Sequence, residues 1–167
     1  VVRDVLKSAF SSAGQHCSAL RLLCLQQDVA DNIERLLAGA IDQLTVGDPT
    51  ALETDIGSLA SLQAMPGLKR HLEWLENNAR LVGRAAIVDK NHSGCLIGPS
   101  AWEIKSVKYL KNHCFAPILH IVRYNADALD EVIDDINSLG SGLTLGIHSR
   151  SQSMAADIER RVKVTNT

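Results

Sequence analysis

The sequence predicts one α/β domain, a parallel sheet with helices on both faces. Two observations carry that prediction. Near-continuous apolar runs, "SALRLLCL", "APILHIVRY" and "GSGLTLGIHS", recur along the chain; strands buried on both faces read this way. Between them stand segments with apolar residues at helical spacing, and strands that alternate with helices imply parallel crossovers. The length agrees, since 167 residues of which 46% are hydrophobic suffice for one cored domain and fall short of two.

Val1, Val2, Val5, Leu6, Ala9 and Phe10 recur at helical spacing, and Gly14 is placed to end that helix. The run 18–25 then reads as a buried strand. Asp28 can cap a second helix whose inner stripe is Val29, Ile33, Leu36, Leu37, Ala40, Ile41 and Leu44. "VGDPT" stops it, and an irregular stretch leads to a third helix that starts near Pro66 and turns Leu68, Leu72, Leu75 and Ala79 inward. "GRAAIVDK" reads as a strand, and "CLIGPSAWEI" as a second extended piece kinked at Gly98-Pro99. A short segment over 108–112 precedes "APILHIVRY", rich in β-branched residues. Asn125 or Asp127 can cap the next helix, with Leu129, Val132, Ile133 and Ile136 inward. "GSGLTLGIHS" is another buried strand, followed by a polar helix "SQSMAADIERRV" and the opening of a last strand, "KVTN".

A formal charge of -2 leaves no footprint for nucleic acid or an anionic membrane. No apolar run is long enough to span a bilayer, and no signal peptide opens the chain. The 4 cysteines form no CxxC pair and no repeated ligand spacing, so no metal site is expected and a reducing, cytoplasmic setting fits. The chain opens at Val1 inside a helical pattern and stops at Thr167 as a strand begins, so both ends read as cut.

Composition and periodicity leave the chemistry open. The residue that raises it is Cys17, which follows Gly-Gln-His between a helix and an apolar run. A thiolate can add to a carbonyl and form a covalent intermediate. A small buried hydrophobe is the commoner fate of a lone cysteine. Cys24, inside the apolar run, reads as core. His71, His92, His120 and His148 suggest no cluster, and His120 and His148 read as hydrogen-bonded strand residues.

"SAGQHCSALR" resembles the cysteine motif of the aldehyde dehydrogenase superfamily, in the form found in 1-pyrroline-5-carboxylate dehydrogenases, including the dehydrogenase modules of bifunctional proline utilization A flavoproteins. "VGDPTALETDIG", "HLEWLENNARLVGRA", "FAPILHIVRYN" and "GLTLGIHSR" agree in order and at similar spacing, so the likeness runs over nearly the whole chain. It implies that residues 1–167 are the Rossmann-like, cysteine-bearing catalytic domain, partial at both ends, of an NAD-dependent enzyme that oxidises glutamate semialdehyde to glutamate. The resemblance puts the nucleotide-binding domain and the general-base glutamate upstream, and the oligomerisation strand and carboxylate-anchoring loop downstream, so the isolated chain is expected to be inactive. It further implies a small aldehyde substrate, a homo-oligomer, a proline dehydrogenase module in the same parent chain, and a cytoplasmic location, or the mitochondrial matrix in a eukaryote.

By the same resemblance Cys17 is the nucleophile, its backbone N–H is half of an oxyanion hole, and Ser18 binds the substrate carboxylate. In "KNHCFAPILHIVRY", His113 stands where the family carries a glutamate that holds the nicotinamide ribose, and Ala116 replaces a glycine. Phe115 matches the aromatic on the nicotinamide side. A carboxylate can accept from two hydroxyls and a neutral imidazole from one. Ser58, where the family has proline, and Ser141, where it has an aromatic, depart in the same way. These changes motivate an alternative, a diverged non-catalytic domain kept for assembly or support.

Overall fold

The computed structural model describes residues 1–87, 95–110, 115–140 and 142–165. In chain order the elements are α1 (Val2–Phe10), β1 (Leu22–Gln26), α2 (Gln27–Asp42), α3 (Met65–Asn78), β2 (Arg80–Arg84), β3 (Ser100–Glu103), β4 (Ile118–Tyr124), α4 (Leu129–Ser138) and α5 (Gln152–Arg161). Four strands form one sheet in the order β1-β4-β3-β2. β1, β4 and β3 run parallel, with Leu22 opposite His120 and Trp102 opposite the same residue from the other side. β2 closes the sheet antiparallel to β3, with a bulge between Leu81 and Gly83.

The sheet is therefore mostly parallel and flanked by helices. Alternation along β4 shows both layers: His120 meets His71 of α3 on one face, and Arg123 reaches Glu34 of α2 on the other. α1 packs on α2. A Cβ on Gly83 would lie 2.9 Å from the Cα of Ala38, so α2 crosses β2 at backbone distance and needs glycine there. Leu37, Ile41, Leu75, Leu119 and Ile121 are fully enclosed between the layers, each side chain contributing about 1.5–3 kcal/mol of apolar burial.

Several expectations change. The buried stripe of α2 is Ala30, Glu34, Leu37 and Ile41, while Val29 and Leu36 are exposed. The apolar pattern found Leu37 and Ile41, with Ile33 and Leu44 packed beside them, but not Glu34, a carboxylate satisfied by arginines from the sheet. The strand expected at 83–90 lies over 80–84 and runs antiparallel, and residues 88–90 lie outside the described ones. "GSGLTLGIHS" does not ladder into the sheet. Leu143 is exposed, and the Thr165 N–H donates to the Gly142 carbonyl at 3.2 Å. An apolar run becomes a strand only where an edge pairs with it, and no named strand pairs with this one among the described residues. "KVTN" likewise forms no strand up to Thr165: the Lys163 N–H bonds the Asn137 side chain instead.

Candidate functional site

α1 stops at Phe10, before the Gly14 that was expected to end it. The chain then reverses through three consecutive left-handed residues, Ser12 (φ 52°, ψ 35°), Ala13 (φ 54°, ψ 34°) and Gly14 (φ 68°). Glycine adopts this region freely, whereas Ser12 and Ala13 cost on the order of 1 kcal/mol each. Such a turn persists only where its surroundings hold it.

Five contacts do so. The Ser12 carbonyl accepts from the Gln15 N–H and from Gln15 Nε2, both at 3.1 Å. Gln15 Oε1 accepts the Ala60 N–H at 2.8 Å. The Ser12 hydroxyl and His16 Nε2 are 2.8 Å apart. Gly14 lies against the backbone of Ala116, just before β4. Gln15, expected only to shape a turn, also ties that turn to the loop ahead of α3.

Cys17 and Ser18 stand exposed at the end of this turn. A cavity of about 310 Å³ opens beside Ser18, between α1 and the turn, lined by Lys7, Ser11, His16 and Ser18 among others; Cys17 neighbours this lining without being part of it. Cys24 sits within β1, and burial pushes its thiol up to about 12. It is chemically quiet where Cys17 is accessible. Phe115 is 51% exposed, and the Arg21 guanidinium lies over its ring at 4.3 Å from the centroid. Arg21 also donates to the His16 carbonyl at 3.1 Å, so a single side chain links the Cys17 turn to Phe115. His113 lies outside the described residues, as does His92.

The histidines correct the expectation of no cluster. His71 and His120 meet with their Nε2 atoms 2.9 Å apart. His120 Nδ1 lies 2.9 Å from the Arg21 carbonyl, which can only accept, so that nitrogen carries the proton. With both rings neutral, His120 Nε2 accepts and His71 Nε2 donates. Burial pushes His120 down to about 4, and burial also lowers His71. His148 is on no strand and stands 3.8 Å from Asp4 of α1. Among the described residues, no three His, Cys, Asp or Glu side chains gather as metal ligands. Among the described residues no helix is long and apolar enough to cross a membrane.

The family model for aldehyde dehydrogenases matches residues 1–167. The chain belongs to the aldehyde dehydrogenase family. It is 41% identical over 171 residues to the bifunctional protein PutA of Klebsiella aerogenes, matching 99% of this chain and 13% of that protein. A crystal structure of proline utilization A from Bradyrhizobium japonicum superposes with a TM-score of 0.93 at 39% identity, over 99% of this chain and 17% of that one. Glyceraldehyde-3-phosphate dehydrogenase of Methanocaldococcus jannaschii, solved with NADP, superposes with a TM-score of 0.85 at 22% identity, over 99% of this chain and 35% of that one, which is a likeness of fold alone. The chain thus spans 13% of the length of a PutA relative.

Within this aldehyde dehydrogenase domain, Arg21 and the His71–His120 pair went unnoticed in the sequence. An arginine after a cysteine motif carries no local signal, and residues 71 and 120 share no spacing that predicts contact. The available signal was indirect: a histidine in a run as apolar as "APILHIVRY" must find a hydrogen-bond partner.

Proposed function

We propose that the chain is the cysteine-bearing catalytic domain of a longer NAD-dependent aldehyde dehydrogenase that oxidises glutamate semialdehyde, in equilibrium with 1-pyrroline-5-carboxylate, to glutamate. The observation that carries this reading is the exposed Cys17 at the end of a strained turn that is braced on several sides. A cysteine kept only for packing needs neither the exposure nor the bracing.

In this mechanism the Cys17 thiolate adds to the aldehyde carbon and forms a tetrahedral thiohemiacetal. The Cys17 N–H faces the developing alkoxide. Ser18, on the rim of the cavity, binds the carboxylate end of the substrate. For the cofactor, the residues present offer the nicotinamide end of a site: Phe115 presents half its surface beside the Cys17 turn, backed by Arg21. His113 is assigned to the same end by its place before Phe115. Bound NAD would supply the hydride acceptor for oxidation of the Cys17 adduct to the thioester level. Hydrolysis of that thioester needs a general base, which we assign to the rest of the longer protein together with the nucleotide-binding domain. The chain by itself is therefore expected to show no turnover.

The bifunctional PutA relatives support a proline dehydrogenase module in the same parent chain; a homo-oligomeric assembly and a cytoplasmic location are further parts of this proposal. Ala116 in place of glycine does not by itself count against the catalytic reading. Its φ is not among the positive values, so the methyl group sits where glycine would without backbone strain.

Iodoacetamide at neutral pH, followed by peptide mass mapping, tests the reading. Cys17 is expected to be carboxamidomethylated ahead of Cys24, Cys95 and Cys114. An inert Cys17 with another cysteine labelled overturns it. Calorimetric titration of NAD into the longer protein separates the alternatives, since absence of binding favours the non-catalytic domain.

A further inference from the structure

We propose that Arg21 is a positioning residue for the oxyanion donor: its guanidinium orients and polarises the His16–Cys17 peptide unit, whose N–H faces the charge that develops when Cys17 adds to an aldehyde. The inference rests on the reading of Cys17 as the nucleophile and adds a role to it.

The peptide bond is planar and trans, so the His16 C=O and the Cys17 N–H point in opposite directions along one rigid unit. Whatever holds the carbonyl aims the N–H. The His16 carbonyl accepts from Arg21 Nη2 at 3.1 Å and from the Ala19 N–H at 3.2 Å. Of these, Arg21 carries the full charge. A charge-assisted bond draws electron density toward the carbonyl oxygen, which makes the N–H at the other end of the unit a stronger donor.

Arg21 is itself well placed for this. Its carbonyl accepts both the His120 N–H and His120 Nδ1–H, each at 2.9 Å, which anchors its backbone to β4. Its guanidinium rests on the Phe115 ring. That contact adds a cation–π attraction and restricts the rotamers from which Nη2 can reach His16. The aromatic assigned to the cofactor side and the donor assigned to the substrate side are thus set by the same side chain.

The step it assists is an addition without redox change. The Cys17 Sγ–C bond forms, the carbonyl π bond breaks, and its electron pair goes to oxygen. That oxygen takes up the proton given by the thiol, so S–H adds across C=O. Negative charge on the oxygen peaks before the proton arrives, and there a preorganised N–H acts most strongly.

The test compares two reagents on the full chain. Propanal adds to Cys17 through an oxyanion and, by occupying the thiol, protects it from alkylation. Iodoacetamide alkylates the same thiol without one. For Arg21→Gln, the rate at which propanal protection sets in is expected to fall on the order of tenfold while the alkylation rate without aldehyde stays within about twofold. Arg21→Lys, which keeps the charge and a donor, is expected to recover most of that rate. An equal loss for both reagents overturns the proposal, since a merely displaced turn affects both, and so does no loss for either. Should circular dichroism show Arg21→Gln unfolded, Arg21→Lys and the wild type decide. Loss of protection in a folded Arg21→Lys as complete as loss of the thiol itself, or no downfield movement of the wild-type Cys17 amide proton on propanal addition, overturns it. Failure of propanal to protect wild-type Cys17 at all sinks the proposed dehydrogenase chemistry; protection that is indifferent to Arg21 sinks only the present inference.

Discussion

A Cβ atom on Gly14 would stand 2.3 Å from the carbonyl oxygen of Ala116. Two backbones meet there, the turn before Cys17 and the segment entering β4, and only a residue without a side chain lets them touch. Gly14 also holds a φ of +68°, which a side chain strains further. Gly14→Ala is therefore expected to lower stability by more than about 2 kcal/mol. Urea denaturation measures it, and an unchanged midpoint would show that the two segments separate freely.

Glu34 occupies the middle of the buried face of α2 with its side chain 5% exposed. Burial alone would raise its carboxyl, but bonds to Arg123 at 2.9 and 2.5 Å and to Arg80 at 2.5 Å hold it below the ordinary value of 4.5. Arg80 also pairs with Glu103, so the cluster joins α2 to β2, β3 and β4. Because the folded value is depressed, the stability it contributes is present above about pH 4.5 and is lost as pH falls through the folded value. Glu34→Gln is expected to destabilise by about 3 kcal/mol at neutral pH, since two guanidinium groups lose their shared partner. The variant should also show a smaller acid-induced loss. Equal stability of variant and wild type at pH 7 would remove the network as a stabilising element.

His120 gives a second pH signature, in a different window. Its folded value of about 4 lies below the ordinary 6.5, chiefly through burial. The unfolded chain therefore binds more protons between those values, and stability is full above pH 6.5 and declines as pH falls toward about 4. The decline amounts to up to about 3 kcal/mol. His120→Gln keeps a polar side chain without a titrating group, so its denaturation midpoint is expected to vary less between pH 7 and 5. A midpoint as pH-dependent as the wild type's would assign the window to other groups.

β1 stands at the end of the sheet order with no ladder partner on its outer side among the described residues. Its sequence, Leu-Leu-Cys-Leu-Gln, carries no charge and no proline to discourage pairing. The chain is expected to self-associate through this edge. Light scattering over a wide concentration range checks it, and a monomer throughout would count against it.

The legible parts of the molecule were those with a local period. β4 and β1 were visible as apolar runs, and α3 began at the expected proline. α2 was visible as a helix and Leu37 and Ile41 of its buried face were legible, but Glu34 was not, because it looks like a surface residue until Arg80 and Arg123 are brought beside it. Cys17 and Phe115 were legible only as motifs, and their common setting was not. Arg21, the residue that connects them, sits 94 positions from the aromatic ring it covers, and no local pattern spans such a gap.

By itself, then, the amino-acid order determined which segments become helices, that the apolar runs at β1 and β4 become strands, and which cysteine stands at a chain reversal. Those properties depend on steric and solvation preferences within a few neighbouring residues. The tertiary structure alone decided that β2 turns antiparallel, that residues 142–149 join none of the sheet's four strands, and that His71 finds His120. It also decided that the turn carrying Cys17 is held from β4 and from the loop before α3. These depend on which strand edges pair and which side chains then share a space, and no single segment contains that information.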